Sequence, residues 1–378
     1  MTISPWQIRI RDSELRFSNI DALRAIAALL VLWMHASEVF IYLVREKDAG
    51  GEWVYRLSDI FDFGRIGVVS FFAISGFVVP MSLKGPASAT ELKLFAIGRF
   101  FRLYPAFWVS IVPGAVTFYW IWGKSFTIWD LLLNFTMMPE WLGALPAEGL
   151  YWTLQIEMVF YAICAILFWM DWIRNADRLF QVCFTFFIGY ALLRDKAYAI
   201  NLAHLSIMFF GALCRQLVSM NDGIGRRRLL RAIGLYASLW LIFIPAYGVV
   251  AIMLGKYDYS VSRFFLAYGI GILLFLLVLA LPNLNAACLV WLGRISYSIY
   301  LLHPIVLFSL YWIIGRGYVP WMQALNLGVY VALCALITIV LAAVNFYLVE
   351  EPARRLGQRI KRRIRLQSQG DASLLRPN

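Results

Sequence analysis

The chain has 378 residues, of which 62% are hydrophobic and only 15% are charged, with a mean hydropathy of +0.72. Soluble domains have about 25% charged residues, so the composition excludes a soluble globular protein and indicates an integral membrane protein. The net charge of +12 does not require nucleic acid, because loops on the cytoplasmic side of membrane proteins are usually basic. We therefore expect membrane lipids, and no nucleic acid, as partners.

Apolar runs of about 20 residues are long enough to cross a bilayer, and they predict an all-α fold with about ten transmembrane helices. The predicted spans are 20–44, 62–82, 104–122, 150–170, 178–193, 199–219, 230–254, 263–281, 290–315 and 322–348. A cytoplasmic N-terminus places 24 of the 34 Lys and Arg residues inside, as the positive-inside rule favours. An even number of spans then places both termini in the cytoplasm.

Three parts are expected along the chain. Residues 1–17 form a polar cytoplasmic segment, 18–350 form one membrane domain, and 351–378 form a basic cytoplasmic tail.

The five cysteines lie in or beside apolar runs without CxxC spacing, which is typical of small core residues. The three histidines lie on three different spans, so we expect no metal site.

The first predicted span contains Arg24 and His35, eleven residues apart. This spacing is within about 20° of three full helical turns, so both side chains share one face and lie about 16 Å apart along the axis. Ionisable groups inside a membrane usually line a cavity or a site. His35 is a candidate general base and Arg24 a candidate phosphate ligand. A helix-packing histidine and an Arg24–Asp21 ion pair remain alternatives.

Small and basic residues follow in the second and third spans. Gly76 favours close helix packing, which would also hold the neighbouring Ser75 hydroxyl against a site. Arg99 and Arg102 lie three residues apart on one helix face at the predicted cytoplasmic edge. Their charge suits an anionic cofactor as well as it suits lipid headgroups.

Two later spans contain ionisable residues at membrane depth. Glu157 in the fourth span needs a partner, and we expect it to orient an imidazole or to close an ion pair. Glu38 competes for the first role because it follows His35 by three residues. His303 in the ninth span is expected at the depth of His35, where it either supports the site or bonds to the carbonyl that Pro304 frees.

Taken together, these segments resemble the acyltransferase 3 family of membrane acyltransferases, which O-acetylate bacterial surface saccharides. Six segments match in order: Asn19 to Arg24 with His35, Phe71 to Phe77, Arg99 to Pro105, Trp152 to Tyr161, Leu292 to Pro304, and Glu350 to Pro352. The resemblance implies a ten-helix fold in the bacterial inner membrane. It also implies a catalytic His35 and a required Arg24, with Arg99 and Arg102 near the phosphates of CoA.

The family resemblance further implies that the chain takes an acyl group from cytoplasmic acyl-CoA and delivers it to a saccharide across the membrane. Acetyl-CoA is the expected donor, although succinyl-CoA presents the same CoA group. The chain either acts alone or hands its product to polysaccharide-assembly proteins. Two alternatives remain: a proton-coupled transporter using Arg24, His35 and Glu157, and a scaffold in an envelope-assembly complex.

Overall fold

The structure, a computed structural model, describes residues 18–41, 51–193, 196–220, 223–255, 259–281 and 286–374. The predicted segment 1–17 lies outside these ranges. The described residues form helices and no β-strand, which confirms the all-α prediction. In chain order the α-helices are α1 (Ser18–Val39), α2 (Glu52–Phe61), α3 (Phe63–Val78), α4 (Ala89–Phe118), α5 (Ile128–Asn134), α6 (Trp152–Trp169), α7 (Ala176–Leu192), α8 (Lys196–Ser219), α9 (Ile224–Ser238), α10 (Ile244–Met253), α11 (Tyr259–Ala280), α12 (Ala287–Gly315), α13 (Leu327–Asn345) and α14 (Glu351–Leu374).

Within the described ranges, nine helical segments are long and apolar enough to cross a membrane. They correspond to nine of the ten predicted spans, and the fold is that of a multi-pass membrane protein. The other predicted span, 178–193, corresponds to α7, which has 17 residues. Its length of about 25 Å is less than the roughly 30 Å of a typical hydrocarbon core.

Glycines allow α1, α3, α8 and α12 to approach closely. A Cβ atom added at Gly76 of α3 would lie 1.7 Å from the carbonyl oxygen of Met208 in α8. A Cβ atom added at Gly293 of α12 would lie 1.9 Å from the carbonyl oxygen of Asp21 in α1. The close approach at Gly76 is the helix packing that the sequence predicts for this residue. Because these contacts are between backbones, they fix the spacing of the helices that surround the site.

Helices α4 and α14 extend beyond the length that a bilayer requires. The N-terminal half of the 30-residue helix α4 contains Lys93, Arg99 and Arg102, and α14 packs against α4. A π-helical turn at Phe346–Glu350 connects α13 to α14. Pro352 has no amide hydrogen to continue the regular ladder, which is a common cause of such irregular turns. This turn positions Glu350 in the interior, where it is 1% exposed.

The segment between α4 and α6 folds back on itself. Thr127 and Asp130 form a capping box at the start of α5. The Thr127 hydroxyl and backbone N–H donate to Asp130 and hold the pKa of that carboxyl below its usual value. Asn134 donates to the carbonyl of Leu145 at 2.8 Å, and its own oxygen accepts from the N–H of Ala147 at 2.8 Å. These bonds lead the chain back to the start of α6.

We predict that Gly293→Ala lowers the free energy of unfolding by at least the roughly 1–3 kcal/mol typical of overpacking, because its new methyl group meets rigid backbone. Thermal unfolding of the detergent-solubilised protein measures the effect. Gly234→Ala in α9 is the matched control, since beyond the adjacent backbone of its own helix no described atom lies within 4 Å of a Cβ added there. Equal melting temperatures for the two variants would contradict the close approach of α1 and α12.

Candidate functional site

Two cavities between the described helices are lined by all of the predicted site residues except His303. The larger, of about 1160 Å³, is named the histidine cavity. Its ionisable lining consists of His35, Glu38, Asp62, Arg65, Tyr190, His204, Tyr247, Arg263, Tyr268 and Tyr300. The smaller, of about 390 Å³, is named the arginine cavity. Its ionisable lining consists of Asp21, Arg24, Arg99, Arg102, Glu157, Tyr161, Arg294, Tyr297, Tyr300 and Arg354.

In the histidine cavity, His35 is paired with Glu38, one turn further along α1. Nδ1 of His35 lies 3.2 Å from Oε2 of Glu38. An ionised carboxylate can only accept, so Nδ1 carries the hydrogen and donates it. Nε2 of a neutral His35 is then a proton acceptor. The side chain of His35 is 32% exposed, which leaves it accessible from the cavity.

His303 lies beside His35, at the same depth as the sequence predicted. The two rings stack with centroids 5.7 Å apart and an angle of 25° between their planes. Nδ1 of His303 donates to the carbonyl of Tyr300 at 2.8 Å. Pro304 cannot bond to that carbonyl because it lacks an N–H. The ring therefore fills the hydrogen bond that the proline removes, as the kink interpretation of His303 expects.

His204 and Tyr268 are site residues that the sequence reasoning missed. The Tyr268 hydroxyl lies 2.6 Å from Nε2 of His204, which is 2% exposed. Nδ1 of His204 is buried and has no hydrogen-bond partner within the described part of the chain. Both side chains line the histidine cavity. Their contact joins α8 to α11, 64 residues apart, and no pattern within one helix indicates it.

Two ion pairs also lie at the wall of the histidine cavity. Arg65 pairs with Asp62 within α3 and its cap, while Arg263 of α11 reaches Asp59 of α2 at 2.7 Å. The guanidinium of Arg65 also lies 4.8 Å from the ring centre of Phe264. Within each pair the two charges neutralise each other.

The arginine cavity is strongly basic. Five guanidinium groups and two carboxylates line it, Asp21 and Glu157 being the acids. Arg24 lies 3.6 Å from Asp21, so the ion pair weighed from the sequence does form. Arg99 lies over the rings of Phe95 and Tyr161 at 5.7 and 5.6 Å. The excess of guanidinium groups makes this cavity suited to a ligand with several phosphates.

Glu157 lies in the arginine cavity rather than beside the imidazole. It accepts hydrogen bonds from Ser75 at 3.2 Å and from Tyr161 at 2.5 Å. Of the two acids weighed for orienting His35, the structure therefore brings Glu38 into contact. Glu157 instead accepts the hydrogen bond of the Ser75 hydroxyl on the wall of the arginine cavity. The hydrogen of that hydroxyl is therefore already donated to Glu157.

A buried network lies behind Arg102 and was also missed by the sequence reasoning. The carboxylate of Glu350 accepts from the Ser298 hydroxyl at 2.9 Å and lies 3.6 Å from Arg102. Asn345 donates to the oxygen of Ser298 at 3.0 Å. The sequence signal for this network was the Glu350-Glu351-Pro352 segment, which does not identify the partner of Glu350. Arg102 therefore neutralises a buried acid as well as lining the cavity.

The sequence model of a protein family described as an acyltransferase domain, acyltransferase 3, matches residues 17–345 of the chain. The chain belongs to this acyltransferase family. Both cavities lie mainly within the matched range, and Arg354 of the arginine cavity lies beyond it. No solved structure shows a significant match to this chain.

Two curated proteins are similar to this chain. Nodulation protein 10 of Rhizobium leguminosarum bv. viciae is 30% identical over 179 residues, which cover 42% of this chain and 46% of the relative. ORF330 of Acidianus two-tailed virus, provisionally named an acetyltransferase, is 22% identical over 254 residues, covering 65% of this chain and 73% of the relative. The match to the nodulation protein thus spans less than half of that protein's length.

We predict that Arg102→Ala lowers the free energy of unfolding by roughly 3–5 kcal/mol, because it removes the nearest counter-charge of the buried Glu350 carboxylate. Adding Glu350→Gln to this variant restores at least half of the loss, since the amide can keep the Ser298 contact without a charge. Thermal unfolding in detergent measures both variants.

Arg355→Ala is the control for this comparison, because Arg355 forms an exposed ion pair with Glu351 on α14. Exposed pairs of this kind contribute about 0–1 kcal/mol. If Arg102→Ala unfolds at the same temperature as Arg355→Ala, Arg102 does not stabilise the buried carboxylate of Glu350.

Proposed function

We propose that the protein is a membrane O-acyltransferase that moves an acyl group from acyl-CoA to a hydroxyl of a saccharide. The observation that supports this most is the pairing of two unlike cavities. One contains five guanidinium groups, and the other contains a histidine oriented by a carboxylate. The first suits a polyphosphate donor and the second suits proton transfer from a hydroxyl.

The arginine cavity is the proposed donor site. Arg24, Arg99 and Arg102 bind the CoA phosphates, as guanidinium groups do through paired N–H donors. The cavity faces the cytoplasm, because the basic helix α14 contributes Arg354 to its lining and positive charge favours that side. Both termini are then cytoplasmic, and in a bacterium the protein lies in the inner membrane. The acyl end of the donor extends towards His35, so CoA need not cross.

The histidine cavity is the proposed acceptor site. Its volume of about 1160 Å³ is sufficient for a sugar unit, and aromatic side chains such as Trp152 and Phe264 line it. Aromatic rings have an apolar face on which a sugar ring can lie. The saccharide is either free on the outer side or linked to a lipid, and it is passed on to the proteins that assemble polysaccharide.

The transfer requires one base. Nε2 of His35 accepts the proton of the acceptor hydroxyl while Glu38 holds Nδ1–H, which fixes the tautomer. The hydroxyl oxygen attacks the thioester carbonyl, the carbon–sulfur bond breaks, and the imidazolium returns its proton to the departing thiolate. The products are the O-acyl saccharide and CoA. Acetyl is the acyl group that we expect.

We predict that His35→Ala lowers the turnover number for acyl transfer by about 10²–10⁴-fold, because the general base is lost. Its affinity for acetyl-CoA stays within a few fold, since His35 lies outside the arginine cavity. Release of CoA thiol in membranes supplied with acetyl-CoA gives the turnover. Saponification of the cell glycans gives the ester content.

Ser37→Ala is the matched control on the same helix, because Ser37 is buried, lines neither cavity and donates no hydrogen bond within the described ranges. An unchanged ester content in His35→Ala would remove His35 from the reaction. If wild-type membranes moved protons without consuming acetyl-CoA, the protein would instead be a transporter.

A further inference from the structure

Arg294 differs from the other four arginines of the arginine cavity because its guanidinium is unpaired. Arg24, Arg102 and Arg354 each form an ion pair with a carboxylate, and Arg99 lies over two aromatic rings. Within the part of the chain that the structure describes, the side chain of Arg294 has no ion pair, hydrogen bond or ring contact. Its positive charge is therefore available to a ligand.

Arg294 is also the most exposed of these arginines. The side chains of Arg24, Arg102 and Arg354 are 21%, 22% and 27% exposed, and Arg99 is half-buried, whereas Arg294 is exposed. A guanidinium that lines a cavity and is exposed as well lies at the opening of that cavity. In the proposed orientation, this is the end through which the donor enters.

A backbone contact places Arg294 farther from the histidines than Arg24. A Cβ atom added at the neighbouring Gly293 would lie 1.9 Å from the carbonyl oxygen of Asp21, so α12 and α1 touch at this level. Arg24 follows Asp21 by three residues in the direction of His35, which is roughly 5 Å along the helix axis. Arg294 lies beside the contact itself, about one helical turn farther out.

The same order is found along α12. Arg294, Tyr297 and Tyr300 follow one another at intervals of three residues, and all three line the arginine cavity. His303 comes next and stacks on His35. Helix α12 thus leads from an exposed arginine to the paired imidazoles in nine residues, or about 14 Å. Arg294 therefore lies at the end of the arginine cavity that is remote from the proposed transfer.

From this position we propose that Arg294 binds the 3′-phosphate of CoA. The inference rests on the proposed function, because it concerns the donor in the arginine cavity. The ribose of CoA carries the diphosphate on one side and a separate monophosphate on the other. The diphosphate is nearer to the thioester along the molecule, so it lies with Arg24 and Arg102. The 3′-phosphate lies one ribose ring farther out, at the opening where Arg294 is.

The charge of the 3′-phosphate suits an unpaired guanidinium. A phosphate monoester carries a charge of about −1.5 to −2 at neutral pH, and its oxygens accept the paired N–H donors of arginine. Each phosphate of the diphosphate has only one ionisable oxygen. The ion-paired arginines are already partly neutralised by their carboxylates, and Arg294 is not. The most highly charged phosphate of the donor is thus matched with the unpaired cation.

The consequence is selectivity for the carrier of the acyl group. The compound 3′-dephospho-CoA has the same pantetheine arm and diphosphate as CoA, and it lacks only the group that Arg294 binds. The contact therefore makes the protein prefer CoA to 3′-dephospho-CoA, whichever acyl group is attached.

The test measures the binding of CoA and of 3′-dephospho-CoA to the detergent-purified protein by isothermal titration calorimetry. Wild type is expected to bind CoA about tenfold or more tightly than 3′-dephospho-CoA, the effect of one charge-assisted paired contact. Arg294→Ala is expected to lose about tenfold in affinity for CoA, while its affinity for 3′-dephospho-CoA stays nearly unchanged. Arg294→Lys is expected to lie between the two, because it keeps the charge and loses the paired donors.

Arg316→Ala is the matched control, because it removes an exposed arginine from the C-terminal cap of the same helix and Arg316 lines neither cavity. Both of its affinities should remain those of wild type. Retained binding of 3′-dephospho-CoA by Arg294→Ala also shows that this variant is folded.

Three results would overturn the assignment while leaving the acyltransferase function intact. Wild type could bind the two ligands equally, or Arg294→Ala could lose affinity for both by the same factor. A preference for CoA that survives in Arg294→Ala would assign the guanidinium to another anion, such as a lipid headgroup. If wild type binds neither ligand, the proposed function fails and the assignment with it.

Discussion

Eleven residues of helix separate Arg24 from His35, and the rest of the site depends on that separation. A rigid helix holds the two groups about 16 Å apart along its axis, more than side-chain rotation can close. A ligand that contacts both must therefore be long, with phosphates at one end and a reactive group at the other. Acyl-CoA has this form, because its pantetheine arm separates the thioester from the diphosphate. In the proposed reaction, each cavity holds one end of such a ligand.

The charges inside the bundle are stabilised by partners from other helices. Glu157 accepts from Ser75 and Tyr161, and Glu350 is held by Arg102 and Ser298. A buried charge without such partners would cost several kcal/mol, so each pairing limits where its helix can lie. The close backbone approaches at glycines have the same effect through packing. Together they explain how a bundle of mostly apolar helices keeps two polar cavities at fixed positions.

Much of the fold could be predicted from the sequence, because the length and hydropathy of a span are properties of one segment. The shared helix face of Arg24 and His35 could also be predicted, because it depends only on helical periodicity. The contact of His303 with the carbonyl freed by Pro304 followed from adjacent residues. Each of these predictions used information within a few turns of one helix.

The rest depended on how helices pack, which periodicity does not specify. The sequence indicated that Glu157 lies at membrane depth, but the acid beside His35 is Glu38, and Glu157 lies in the other cavity. The His204–Tyr268 contact joins helices that are distant in the chain. Such contacts arise only once α3, α6, α8, α11 and α12 are placed together.

In the proposed reaction the donor and the acceptor approach from opposite sides of the membrane, and the sidedness of transfer tests this most directly. The purified protein is reconstituted into sealed vesicles, and orientation is determined by protease access to a tag after α14. Labelled acetyl-CoA is supplied on one side and the saccharide on the other. We expect transfer only when acetyl-CoA is on the side of α14 and the saccharide is on the opposite side. Equal transfer when both substrates are restricted to one side would contradict it.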